Sequence, residues 1–124
     1  MIDVFPTDYP DFDPNPAGVR MGNYQMLIRG EPFRGKFRNS FSKPEPFEPN
    51  KPTKVSFTMP DICHTFRPGH KLMVQVHSTW FPLVDRNPQK FCDIYSALES
   101  DFSLQTHKIH RSPEMQSGIT VRVK

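Results

Sequence analysis

The sequence has 124 residues, with 16 Lys and Arg against 13 Asp and Glu, and it contains 14 prolines but only 6 glycines. This length fits one domain, and the small excess of positive charge is far from that of a nucleic-acid-binding surface. No apolar run approaches the roughly 20 residues that span a bilayer, and the N-terminus lacks the basic and apolar regions of a signal peptide. We therefore expect a single domain over residues 1–124, with neither nucleic acid nor membrane as a partner.

The first part of the chain predicts short strands separated by proline-rich loops. Residues 2–5 predict a strand that is already under way at the first residue, and residues 24–29 alternate apolar and polar side chains with the period of a strand. Residues 34–41 predict a weaker and more polar extended piece. The loops at 6–16 and 44–52 hold four prolines each, which excludes a helix in either.

The second part of the chain predicts further strands and one short helical stretch. Residues 53–59 alternate cleanly, and residues 71–80 form the strongest strand pattern of the sequence. Residues 91–102 carry apolar side chains at helical spacing and predict one to three short turns. Residues 105–111 and 119–123 again predict strands. The apolar positions of the two central strands are Val55, Phe57 and Met59, expected to point inward, and Leu72, Val74 and Val76, expected to share one face.

The sum of these elements indicates an all-β protein. Six or seven strands with long irregular connections are typical of an antiparallel β-sandwich, such as a jelly roll of the galactose-binding-like type. A jelly roll uses about eight strands, so the sandwich predicted here is incomplete. At most a short helix, near residues 91–102, interrupts it.

Motifs that carry catalysis are missing from this sequence, which holds neither a Gly-x-Ser-x-Gly elbow nor a phosphate-binding loop. A zinc site could be drawn from Cys63, His64 and His70, and a triad from Ser78, His64 and Asp85, but neither set has a supporting motif. Histidines that hydrogen-bond loop groups or face solvent are the favoured interpretation. We expect no catalytic residue, no metal and no cofactor on this chain.

Three further features of the sequence each allow two interpretations. Cys63 and Cys92 form either one disulfide or two buried thiols, and their number favours the thiols. The basic residues between Arg29 and Arg38 alternate with phenylalanines, and a solvated strand face is favoured there over a single-strand-binding groove. The apolar stretch 80–83 indicates either a contact surface or the buried end of a strand.

The run from His64 to Pro88 resembles the C-terminal domain of the cocaine-esterase and X-prolyl dipeptidyl-peptidase family of serine hydrolases. That domain carries an aromatic-x-x-Gly-His-Arg/Lys turn, a strand and a Ser-x-Phe-Pro segment that leads to Asn-Pro. The matching residues are Phe66, Gly69, His70, Lys71, Ser78, Phe81, Pro82, Asn87 and Pro88. The pieces Asp3 to Pro6 with Asp8, 27–41 and 107–113 resemble the same domain in the same order.

The resemblance implies an accessory role beside a hydrolase domain. The catalytic triad of the family lies in that other domain, so none of its members is carried over to this chain. The resemblance implies an acyl esterase or an X-Pro dipeptidyl-peptidase as parent, an upstream hydrolase domain as partner, and homo-oligomer contacts. Trp80 departs from the smaller residue usual in the family. Contacts between domains or at the substrate entrance are expected at Trp80, Phe81, Asp85 and Arg86.

A second hypothesis is a free-standing module that binds carbohydrate or peptide, since jelly rolls on other proteins bind such ligands.

Overall fold

A computed structural model describes residues 1–122 of the chain. Its sheet has three antiparallel strands, β1 (Ile2–Val4), β2 (Gln25–Leu27) and β3 (Lys71–Met73), in the order β2-β1-β3. Ile2 lies opposite both Leu27 and Met73, which places β1 at the centre. Three short 3₁₀-helices complete the regular structure: Gly35–Phe37, Ile94–Ser96 and Glu99–Asp101.

Pairing of β1 with β2 extends beyond the strands themselves. The N–H of Phe5 donates to the carbonyl of Tyr24 at 2.9 Å, and the N–H of Ile28 donates to the carbonyl of Met1 at 3.0 Å. Met26 and Ile28 are half-buried, whereas Leu27 between them is exposed, as the alternation of this segment predicts. The strands predicted at 2–5 and 24–29 are therefore confirmed, each with a shorter paired core.

The helical turns predicted for residues 91–102 are confirmed as two consecutive 3₁₀-helices. Asp93 precedes the first and accepts a hydrogen bond from the N–H of Tyr95 at 3.2 Å. Asp101 closes the second by accepting from the N–H of Leu98 at 3.0 Å. These aspartates satisfy backbone donors that a short helix leaves free, which is why the turns form there.

Several strand predictions are wrong for the described residues. Residues 53–59, 105–111 and 119–122 form no strand, and position 123 of the last prediction lies outside the described residues. The predicted strand 71–80 is paired only at β3. A period-2 pattern shows that a segment suits a sheet, but a strand forms only where a neighbouring backbone supplies the hydrogen bonds.

Two finer predictions are corrected as well. Val55 and Phe57, expected to point inward, are exposed, because the described residues form no second sheet over their segment and the ring of Phe33 covers only one face of Phe57. Residues 34–41, expected to be extended, instead contain the 3₁₀-helix Gly35–Phe37, where the N–H of Arg38 donates to the carbonyl of Gly35 at 3.1 Å.

The chain exposes far more surface than a compact protein of its mass. Its accessible surface is 10851 Å², whereas a folded monomer of this mass exposes about 6,800 Å². Met21 and Pro88 are the buried apolar residues of the described chain, and Asp3 is its one buried polar residue. The architecture is thus all-β and antiparallel, and it is an incomplete sandwich whose apolar faces are largely uncovered. No helix in residues 1–122 is long and apolar enough to cross a membrane.

Candidate functional site

The loop that follows residue 79 carries all four residues expected at a domain contact. Trp80 is half-buried and its ring lies on Gly30, so closely that a Cβ at that glycine would collide with the indole. The N–H of Val84 donates to the carbonyl of Trp80 at 3.0 Å, which turns the chain. This turn leaves the side chain of Phe81 62% exposed beside it. In this loop Trp80 therefore packs against the rest of the chain, whereas Phe81 is largely exposed to solvent.

Asp85 ties this loop to a distant part of the chain. Both of its carboxylate oxygens accept from Nη2 of Arg34, at 2.7 and 3.0 Å, across 51 positions of sequence. The hydrogen bond that Arg34 donates to Asp85 raises the pKa of its guanidinium, which also lies 5.9 Å from the ring centre of Tyr95. Both partners of the ion pair are partly exposed, so its role is to hold the loop in place more than to add stability.

Arg86 ties the other end of the loop to the last 3₁₀-helix. Its two terminal nitrogens lie 3.2 and 3.3 Å from the carboxylate oxygens of Glu99. The guanidinium also stacks over the ring of Phe102, 4.2 Å from its centre. Asn87 then donates to the carbonyl of Ser78 at 2.7 Å, which closes the base of the loop.

The structure thus places Trp80, Phe81, Asp85 and Arg86 in one loop, but with different surroundings. Three of them are engaged within the chain, by ring packing or by ion pairs, and Phe81 points outward. A contact role for the four residues stays a prediction.

A buried cluster around Asp3 is the site that reasoning from the sequence missed. Asp3 is 1% exposed and sits at the centre of the sheet. Its Oδ2 lies 2.9 Å from Nε2 of His64, and its Oδ1 lies 2.9 Å from Nδ1 of His70. A carboxylate only accepts hydrogen bonds, so each imidazole donates one. The cluster joins β1 to the segment that leads into β3.

Aromatic rings pack against both histidines of this cluster. The ring of Phe5 lies 4.5 Å from that of His70, and Tyr9 meets the same imidazole edge-on at 5.5 Å. Phe66 packs edge-on against His64 at 4.9 Å. Low local polarity strengthens hydrogen bonds to a carboxylate and makes an unpaired partner costly. The signals that could have found the cluster are the one acidic residue in an apolar strand and the two histidines that flank the Pro-Gly turn.

The catalytic triad and the zinc site that could be drawn from the sequence are not assembled in the described chain. His64 pairs with Asp3 and Asp85 pairs with Arg34, so these two members of the drawn triad serve separate partners. In residues 1–122 no group of three or more His, Cys, Asp or Glu side chains is arranged to hold a metal. Cys63 and Cys92 are both free thiols, and Cys63 is exposed, not buried as the favoured interpretation expects.

An open depression of about 390 Å³ adjoins the loop. Its wall contains amides and hydroxyls together with the ring of Phe102, and the side chain of Gln89 at its edge lies 2.7 Å from His107. Gln89 has a left-handed backbone, with φ of 62°. The depression is formed by the same segments that the ion pair of Arg86 holds together.

These observations define the class of the protein as an incomplete antiparallel β-sandwich whose polar residues mainly connect parts of its own chain. Comparison with known proteins makes the class specific. Residues 2–120 match the family described as the X-Pro dipeptidyl-peptidase C-terminal non-catalytic domain, and the chain belongs to this family. The resemblance seen in the sequence is thereby confirmed.

One curated relative is similar over most of the chain. Cocaine esterase from Rhodococcus sp. (strain MB1 Bresler) is 31% identical over 90 residues, which are 73% of this chain and 16% of that esterase. The chain therefore spans only a small part of the length of the relative it matches. No solved structure matches the chain.

Proposed function

We propose that this chain is an accessory domain of a serine hydrolase, which packs against the hydrolase domain of the same polypeptide and helps to shape the entrance to its active site. The observation that carries the proposal is the uncovered apolar surface, in a chain of a non-catalytic domain family. The excess over a compact monomer is about 4,000 Å², whereas a standard protein interface covers about 800 Å² of each partner. An excess surface of this size is more readily covered by another large part of the polypeptide than by a small ligand.

Further strands of the same sandwich, completing a jelly roll, would account for part of this cover, and the hydrolase domain for the rest. In the cocaine esterase, the matched part is followed or preceded by the remaining 84% of the protein, consistent with such a neighbour. The parent protein, in this proposal, is an acyl esterase or an X-Pro dipeptidyl-peptidase that forms an acyl-enzyme on a serine of its hydrolase domain. Self-association into a homo-oligomer belongs to the same proposal.

The loop at Trp80 provides the contact in this proposal. Asp85 and Arg86 already have partners within the chain, so the side chains left to meet a neighbour are the exposed Phe81 and Leu83. Interface cores are depleted of charge and enriched in aromatic residues, which fits this division. Trp80 beneath them holds the loop in place through its packing on Gly30.

The test uses the full-length hydrolase that carries this domain, with Phe81→Ser in the loop. We expect a lower melting temperature and a raised KM for an X-Pro nitroanilide or an acyl ester, because a contact beside the entrance is lost. Phe41→Ser is the matched control, since Phe41 is also exposed but lies outside the loop. Equal behaviour of the two variants would refute the contact role.

A second measurement addresses catalysis by this chain alone. We expect no cleavage of either substrate above that of a heat-inactivated sample, because the family places the triad in another domain. Reproducible turnover by the isolated chain would overturn the accessory role.

A further inference from the structure

The open depression beside the loop at Trp80 has a wall that is mostly polar and uncharged. Its volume of about 390 Å³ lies within the range of ligand pockets. The N–H of Ser103 donates to the carbonyl of Pro88 at 3.1 Å, which holds two segments of the wall together. Three side-chain amides and three hydroxyls line the depression: Asn87, Gln89, Gln105, Ser78, Thr79 and Ser103.

The charge on this wall is balanced within the chain. Among the described residues that line the depression, Arg86 alone is charged, and its guanidinium lies 3.2 and 3.3 Å from the carboxylate oxygens of Glu99. An anionic ligand would have to compete with Glu99 for this one cation. An ammonium group would meet no acidic side chain among the described lining residues, so its desolvation would not be compensated. The wall therefore suits a ligand without charge.

Hydrogen bonds within the chain hold the amides of the wall in place. Oε1 of Gln89 lies 2.7 Å from Nε2 of His107, and the backbone N–H of Gln89 donates to Oδ1 of Asn87 at 3.0 Å. Nε2 of Gln105 donates to Oγ of Ser103 at 3.3 Å. Nε2 of Gln89 and Oε1 of Gln105 make no hydrogen bond to another described residue. The wall thus offers a donor and an acceptor that are already oriented, which lowers the entropic cost of binding.

Phe102 adds an apolar ring to this polar wall. The guanidinium of Arg86 lies over the ring, 4.2 Å from its centre, and the ring also lines the depression. A sugar ring carries C–H groups on its faces and hydroxyls around its edge, each of which both donates and accepts. Amides match these hydroxyls, and an aromatic ring packs against the C–H face. We propose that the depression binds a neutral saccharide through Gln89 and Gln105, with Phe102 as the apolar surface beneath it.

This binding site goes beyond the accessory role and uses a separate surface. In that role the loop meets its neighbour through Phe81 and Leu83, and neither residue lines the depression. The polar wall also differs from the uncovered apolar faces of the sandwich, which are the surfaces that other parts of a polypeptide would cover.

Saturation-transfer NMR on the full-length hydrolase that carries this domain tests the proposal. The probes are the methyl glycosides of glucose, galactose and mannose, and an inhibitor bound to the catalytic serine keeps them out of that site. We expect transfer to at least one glycoside. Gln89→Gly should weaken its binding about tenfold, because a hydrogen bond is lost, and glycine adopts the φ of 62° at this position without strain. Gln105→Ala should weaken it in the same way.

Gln116→Ala is the matched control, because Gln116 is also exposed but does not line the depression, so it should bind the glycoside as the unchanged protein does. Amides also bind peptides, and N-acetyl-alanine methylamide is the probe for that alternative. Transfer to this peptide that is lost in Gln89→Gly, without transfer to any glycoside, would overturn the proposal. An absence of transfer to every probe would do so too, as would equal weakening in Gln116→Ala or unchanged binding in both depression variants.

Discussion

Removal of the buried carboxylate in Asp3→Ala tests the cluster that holds the sheet to its neighbouring loop. Two imidazoles lose their shared acceptor, and Asp3 is 1% exposed, so water cannot replace it without opening the structure. Hydrogen bonds to a charged group contribute about 1.5–3 kcal/mol each, so the pair is expected to contribute about 3–6 kcal/mol. Because whole domains are stable by about 5–15 kcal/mol, this loss is a large fraction of the free energy of unfolding.

Urea denaturation measures this loss through the single tryptophan of the chain, Trp80. With a slope of about 2 kcal/mol per molar urea, the midpoint of Asp3→Ala should fall by about 1.5–3 M, or the variant should be unfolded without urea. The slope itself should stay unchanged if the variant unfolds from the same native state. Asp8→Ala is the matched control, because Asp8 is exposed and its carboxylate makes no hydrogen bond to the described residues.

Asp3→Asn keeps the size and shape of the side chain but removes one of its two acceptor oxygens, so it separates the effect of the hydrogen bonds from the effect of an empty space. The amide keeps one acceptor and offers one donor, and a histidine can accept on either ring nitrogen in the appropriate tautomer. The asparagine variant should therefore lose less stability than the alanine variant. A loss below about 1 kcal/mol for Asp3→Ala, in the range of ordinary surface substitutions, would refute the reasoning.

Two further predictions concern packing and charge. Gly30→Ala should destabilise the chain by about 1–3 kcal/mol and shift the fluorescence emission of Trp80, because the new Cβ collides with the indole. Gly118→Ala is the control: open space surrounds Gly118, so the stability and the emission should stay unchanged. The pKa of Asp101 is lowered from 3.8, first by the hydrogen bond from Lys90 and then by the one from the backbone N–H of Leu98. The stability that this carboxylate contributes is therefore present above pH 3.8 and is lost as the pH falls through the lowered pKa. A carboxyl NMR titration should place its midpoint below 3.8 and closer to 3.8 in Lys90→Met; equal midpoints would contradict this assignment.

Local patterns in the sequence predicted the type of several elements that the structure contains. Alternation in residues 24–29 predicts β2, and apolar spacing in 91–102 predicts the two helical turns, because the period of the pattern is the period of the structure. The same alternation in residues 53–59 predicts a strand that does not form. The pattern there is equally good, but pairing needs a second backbone that the described chain does not bring alongside.

Sequence by itself determined the class of this protein. Fourteen prolines and several period-2 segments exclude long helices and favour an incomplete β-sandwich, and the motif from His64 to Pro88 indicates the family to which the chain belongs. Only the tertiary structure decided how the polar residues are used. Asp3 meets two histidines 61 and 67 positions away, and Asp85 meets an arginine 51 positions away. Such contacts depend on the path of the whole chain through space, and no local period of a sequence records that path.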